Sequence, residues 1–250
     1  AGRLDQTGLN IVKANGREPA QVEGDFLAPV ACNDVGARRL LTLLDEFALT
    51  DLLEVGDYIL TRSEQAMLEA VRSWPAGSWE SELWVDGYDQ PLRLQAKLTL
   101  SHDGIHVDFA GSAGFVAKGI NVVKAYTDAY TSFGIRCLIG ADIPNNAGSL
   151  GVIKIDAPKG SILNAPYPAA VTSRHIIGQM LPDVVFNCLR QARPGEVPAE
   201  GASCLWNIQL SGGHILPEYD AGDTLTQPRF CITSFSTGGT GARPRWGGLS

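Results

Sequence analysis

Residues Leu92 to Phe109 read LRLQAKLTLSHDGIHVDF. Leu92, Leu94, Ala96, Leu98 and Leu100 alternate strictly with Arg93, Gln95, Lys97 and Thr99, the period-two pattern of a strand with one face in a core and the other in water. Asp103-Gly104 is a reversal signal of the kind that joins antiparallel strands. The return strand over 105–109 then places Ile105, Val107 and Phe109 inward, with His106 and Asp108 sharing the opposite face. Just upstream, Trp79, Ser81, Leu83 and Val85 alternate in the same way before an Asp86-Gly87 turn, which adds an earlier strand to the hairpin.

Outside this β region the apolar period becomes helical. Asn33 or Asp34 is expected to cap a helix carrying Leu40, Leu41, Leu44 and Phe47, because short polar side chains accept from the free N–H groups of a first turn. A second helix is expected after Thr50, with a break near Gly56, ending at Pro75 and Gly77. A third covers 121–138, where Tyr126, Tyr130, Phe133 and Cys137 recur as a packing seam. A short strand is expected over 152–157 and a helix over 173–192, which Pro182 either kinks or truly begins. The fold class is α+β: a mixed, largely antiparallel sheet with packed helices. Residues 1–78 read as a helical approach region and 79–250 as a mixed α/β region, within one continuous domain.

Composition bounds the function. With 44% hydrophobic and 19% charged residues, the chain is able to bury a sizeable core. A net charge of −7 leaves no basic footprint for nucleic acid. No apolar run is long enough for a membrane span and no charged-then-apolar signal pattern opens the chain, so the expected location is the cytoplasm. Cys32, Cys137, Cys188, Cys204 and Cys231 are scattered, without a CxxC pair, and are expected to be reduced, mostly buried thiols.

Chemistry concentrates around the segment Asp142 to Val171, DIPNNAGSLGVIKIDAPKGSILNAPYPAAV. Its glycines and prolines shape turns, and Asn145, Asn146 and Asn164 supply amide donors and acceptors beside them. His106 and Asp108 are placed to share a metal or a proton relay; otherwise Asp108 accepts amides of the Gly111-Ser112 turn. The loop over 111–119 lacks the glycine spacing of a phosphate cradle, and no GxSxG elbow occurs. His175, beside Arg174 and directly after the proline-rich loop, is expected near a helix N-terminus, where the field disfavours a protonated imidazole and favours bound anions.

Four segments resemble the hydantoinase B/oxoprolinase family: 15–47 (NGREPAQVEGDFLAPVACNDVGARRLLTLLDEF), 106–122 (HVDFAGSAGFVAKGINV), 142–171, and 238–244 (GGTGARP). The resemblance implies the central part of a longer polypeptide, inactive alone. It also implies an ATP-dependent opening of a lactam, hydantoin or 5-oxoproline ring. A hydantoinase A-type partner would use ATP and Mg to phosphorylate the ring carbonyl, and this part would hydrolyse the activated intermediate within a hetero-oligomer. Candidate catalytic residues are His175, Arg174 and Asp108, and candidate substrate-binding residues are Asn145, Asn146 and Arg243. Zinc is implied for the full-length protein, with ligands outside this chain, so no complete metal site is expected here. The alternatives are a component of an ATP-dependent ketone carboxylase and a non-catalytic assembly module.

Overall fold

The computed structural model describes residues 4–16, 19–199, 205–212 and 230–237. The chain divides into two compact units, 1–58 and 59–250. In the first, α1 (Gln6–Asn15) opens where the Asp5 side chain accepts from Thr7 N–H. It packs along α2 (Pro19–Glu46), where Lys13 pairs with Glu23. The expected cap at Asn33 or Asp34 is instead the interior of this single helix. Asp34 forms an i,i+4 ion pair with Arg38 at 3.0 Å, an outlet that removes its competition for the backbone. No residue of α2 is buried.

α3 (Leu53–Arg72) begins where Asp51 accepts from Leu53 N–H and runs through Gly56 without the expected break. Its second-unit portion buries Ser63, Met67 and Val71.

The second unit is built on a sheet in the order β1 (Gly77–Val85), β2 (Leu92–Ser101), β3 (Gly104–Asp108), β4 (Ile153–Asp156). The first three strands are antiparallel, with Leu83 opposite Leu94 and Leu98 opposite Val107; β4 joins β3 in parallel, with Ile155 beside Val107. This is the expected α+β class. Gly104 turns the hairpin at φ +144°, and a Cβ there would stand 2.5 Å from the Val152 carbonyl oxygen, so β4 can close on β3 only over a glycine.

α4 (Lys124–Arg136), α5 (Ala147–Gly151), α6 (His175–Gly178) and α7 (Leu181–Ala192) complete the unit. The expected helix over 173–192 is two pieces, and Pro182 sits in the first turn of the second, where its missing N–H would have had no partner within the helix. α7 buries Leu181, Val184, Val185, Cys188 and Leu189 and packs on β1 and β2, where Ser81 Oγ donates to the Val184 carbonyl at 2.7 Å. β5 (Leu205–Gly212) and β6 (Phe230–Thr237) form a separate antiparallel pair.

The aromatic stripe of α4 is only half of its packing seam: Tyr126 and Tyr130 are half-buried against the core, but Phe133 and Cys137 are exposed. The buried face is Thr127, Thr131, Gly134 and Ile135, whereas Phe133 remains 60% exposed. The reason is distance: a Cβ at Gly134 would lie 2.8 Å from Pro182 Cα, so α4 and α7 approach where the side chain is smallest and Phe133 is left outside the contact. The thiols also depart from expectation, since Cys188 is buried but Cys32 and Cys137 are exposed. Cys32 lies on the unburied α2 and Cys137 at the end of α4 beyond its packed face. Cys204 and the side chain of Cys231 lie outside the described residues. Among the described residues, no helix is long and apolar enough to cross a membrane.

Two glycines give opposite predictions. Gly134→Ala forces a methyl onto the Pro182 backbone and is expected to cost about 1–3 kcal/mol despite better helix propensity. Gly56, with nothing within 4 Å of a Cβ, is expected to gain about 0.5–1 kcal/mol on substitution by Ala. Urea unfolding of both variants checks the pair.

Candidate functional site

Because β3 and β4 are parallel, their carboxyl ends lie at the same edge and the loops that follow leave side by side. Phe115 N–H donates to the Gly160 carbonyl (3.0 Å), Ile162 N–H to Ala113 (2.8 Å), Val122 N–H to Ile162 (2.8 Å) and Ser173 N–H to Gly119 (2.7 Å). The fully buried Asn121 ties the two together: its Oδ1 accepts from Val116 N–H, while its Nδ2 reaches the carbonyls of Val116, Lys118 and Ala170. Two motifs distant in sequence, 106–122 and 142–171, thereby become one surface. It bears an open groove of about 520 Å³ lined by Phe115, Val116, Ala117 and residues 166–170, with Tyr167 98% exposed. The segment 238–244, with Arg243, lies outside the described residues.

Asp108 holds the start of the first loop by accepting from Ala110 N–H at 2.9 Å. The Gly111-Ser112 turn expected as its partner is instead fixed by Ser112 Oγ, which bridges Gln95 N–H and C=O. His106 meets not Asp108 but Asp156, Nε2 to Oδ2 at 2.7 Å, and Lys154 reaches the same oxygen at 3.1 Å. These bonds, His106 first, hold the Asp156 carboxyl below the ordinary carboxylate range. Among the described residues no group of three or more His, Cys, Asp or Glu side chains is arranged to hold a metal.

At the exit of the second loop, Arg174 donates to the Val171 carbonyl and lies 5.7 Å from the Tyr126 ring centroid. Tyr126 is itself stacked on Tyr130 at 4.5 Å. His175 opens α6, a helix of only four residues, so the field of a long helix does not act on it. Asn146 is the N-cap of α5: its Oδ1 accepts from Gly148 and Ser149 N–H and its Nδ2 donates to Ser63 Oγ. Asn145 faces a different space, a cleft of about 670 Å³ lined by α4, β4 and Leu150, where Arg136 Nε donates to its Oδ1 at 3.1 Å.

The family model for hydantoinase B/oxoprolinase matches residues 1–250. The chain belongs to the hydantoinase B/oxoprolinase family. It is 30% identical, over 81% of its length and 36% of the relative's, to a protein of Pseudomonas sp. (strain NS671) assigned as one of the subunits of a D-/L-hydantoinase. It is 25% identical, over 90% of its length and 17% of the relative's, to 5-oxoprolinase 1 of Arabidopsis thaliana. The ATP-dependent caprolactamase of Pseudomonas jessenii superposes with a TM-score of 0.75 at 25% identity, over 85% of this chain and 38% of that one. An acetone carboxylase superposes with a TM-score of 0.63 at 17% identity, over 75% of this chain and 27% of that one, a likeness of fold. The chain thus spans little more than a third, or less, of the length of these relatives.

Three residues of this family member that organise the site escaped sequence reading: Asn121, Arg136 and Asp156. The KID alternation of 154–156 carries the signal for Asp156, but its partner becomes visible only with the parallel register.

Asn121→Ala is expected to lower stability by about 2–4 kcal/mol, since it leaves buried backbone groups unpaired; urea unfolding, with faster amide exchange at Val116, checks it. His106→Gln is expected to raise the Asp156 pKa towards the ordinary value, followed by carboxyl NMR. The sign follows from a lowered folded pKa: the pair contributes above the unfolded carboxylate pKa and is lost as pH falls through the folded one.

Proposed function

We propose that this chain is part of the hydrolytic subunit of an ATP-dependent cyclic amidohydrolase, acting on a lactam, hydantoin or 5-oxoproline ring already phosphorylated by a hydantoinase A-type partner that uses ATP and Mg. The observation that carries the reading is the joining of two family motifs into one loop surface at the carboxyl ends of the parallel pair β3 and β4. Family membership and the likeness to an ATP-dependent caprolactamase support it.

The chemistry fits the residues. An unstrained cyclic amide resists water because nitrogen donates into its carbonyl, and O-phosphorylation removes that donation. The hydrolytic part then needs a positioned water, a base, and donors for negative charge. Arg174 supplies a cation for the phosphorylated oxygen, held at the loop exit by Tyr126 and Val171. The His175 imidazole has no hydrogen bond among the described residues and is available to orient water. Asp108 positions the first loop. Asn145 and Arg243 are assigned to substrate binding, and Asn146, through its cap on α5, to holding the Asn145 loop. Zinc, implied for the full-length protein, would be held by ligands outside this chain.

The test is ring opening of 5-oxoproline, hydantoins and simple lactams by the full-length parent with its ATP-using partner, with and without bicarbonate. Bicarbonate-independent opening coupled to phosphate release is expected, and His175→Ala is expected to lower kcat by about 100-fold or more. Bicarbonate-dependent consumption of a ketone would move the chain to the carboxylases. Unchanged turnover in the His175 and Arg174 variants, with weaker partner association, would make these loops a docking surface.

A further inference from the structure

Asn145, assigned above to substrate binding, lines a cleft whose other residues have no part in the ring-opening reading. One stripe of α4, Lys124, Asp128, Ser132 and Arg136, lines it at i,i+4 spacing, together with Phe133, Leu150, Ile153, Lys154, Ile155 and Asn145. Arg136 is only 7% exposed, and none of its partners is a carboxylate. Its Nε donates to Asn145 Oδ1, Nη1 to the Gly140 carbonyl and Met67 Sδ, and Nη2 to the Ile143 carbonyl. A guanidinium has five N–H groups, so one on Nη2 is left over. Buried charges are ordinarily paired, and here the counter-charge is missing among the described residues.

Arg136 also decides which way Asn145 points. A guanidinium only donates, so the Asn145 oxygen must face it and the NH₂ must face away. That NH₂ has no acceptor among the described residues, and neither does the Ser132 hydroxyl. Lys124 is matched by Asp128 and Lys154 is shared with Asp156. Three cations and one carboxylate therefore line the cleft, with side-chain donors in surplus. Burial also works against the Arg136 charge, a cost that a bound anion would offset. The remaining lining is apolar, with Phe133 exposed for contact. A cleft of about 670 Å³ has the size of a small-molecule site.

We infer that the cleft between α4 and β4 binds a small organic carboxylate with an apolar body, its oxygens on Asn145 Nδ2 and Arg136 Nη2 and its hydrocarbon against Phe133. This goes beyond the ring-opening reading, since it holds whether or not the parent hydrolyses an amide.

Titration of the ¹⁵N-labelled 250-residue chain with hexanoate, acetate and inorganic phosphate tests it. Hexanoate is expected to shift the Asn145 side-chain amide and the Ser132 and Phe133 backbone amides saturably, and to bind more tightly than acetate or phosphate. Asn145→Asp keeps the shape, gives Arg136 its carboxylate and removes the NH₂, so it is expected to raise thermal stability and weaken hexanoate at least about tenfold. Phe133→Ala, at an exposed position that leaves folding intact, is expected to weaken hexanoate several-fold and leave acetate unchanged. Absence of shifts at these residues, undiminished binding to Asn145→Asp, or phosphate binding as tightly as hexanoate and indifferent to Phe133→Ala would each overturn the inference.

Discussion

The parallel pairing of β3 with β4 is the constraint on which the functional surface depends. Antiparallel neighbours place successive loops at opposite ends of a sheet, whereas a parallel pair places both following loops at one end and needs a long crossover between them. Here the crossover carries α4 and α5 and delivers Ile153 beside Ile105. Gly104 makes the closure sterically possible, and Ile105 N–H donates to the Val152 carbonyl at the joint. Once this register is set, the loops after Asp108 and Asp156 have no choice but to run together.

Two buried polar side chains convert that proximity into defined geometry. Asn121 binds backbone groups of both loops, and Arg136 binds the carbonyls of Gly140 and Ile143 in the turn before α5. Each replaces water for backbone groups that no strand or helix satisfies. They differ in consequence. Asn121 is neutral and its bonds leave no charge to compensate, whereas Arg136 brings a full charge whose compensation by carbonyl dipoles alone is incomplete, so the same contact that staples a turn also creates an appetite for an anion.

α4 links these regions because its faces do separate jobs. Gly134 allows close approach to α7, and the buried Thr127 donates to the Leu163 carbonyl. Tyr126 and Tyr130 form the stack on which Arg174 rests. Lys124, Asp128, Ser132 and Arg136 line the cleft. A residue offset of one along the helix moves a side chain by about 100° and therefore from one job to another.

The sequence by itself determined the local elements and the family. The alternation of 92–100 required a half-buried strand, Asp103-Gly104 required its reversal, and the motif pattern identified the hydantoinase B/oxoprolinase family. These are properties of nearest neighbours and of spacing along one chain. It did not determine α2 as one helix, since capping residues such as Asp34 serve equally well inside a helix when an Arg38 is near. It did not determine which face of α4 is buried, because small residues become buried only when a second helix comes close. Asp108 and His175 were legible as candidates, but the partnership of His106 with Asp156, the clamp at Asn121 and an Arg136 charge with no carboxylate partner among the described residues were decided only by tertiary structure. Each depends on groups far apart in sequence being brought within a few ångströms by the β3–β4 register, and no periodicity along the chain records that distance.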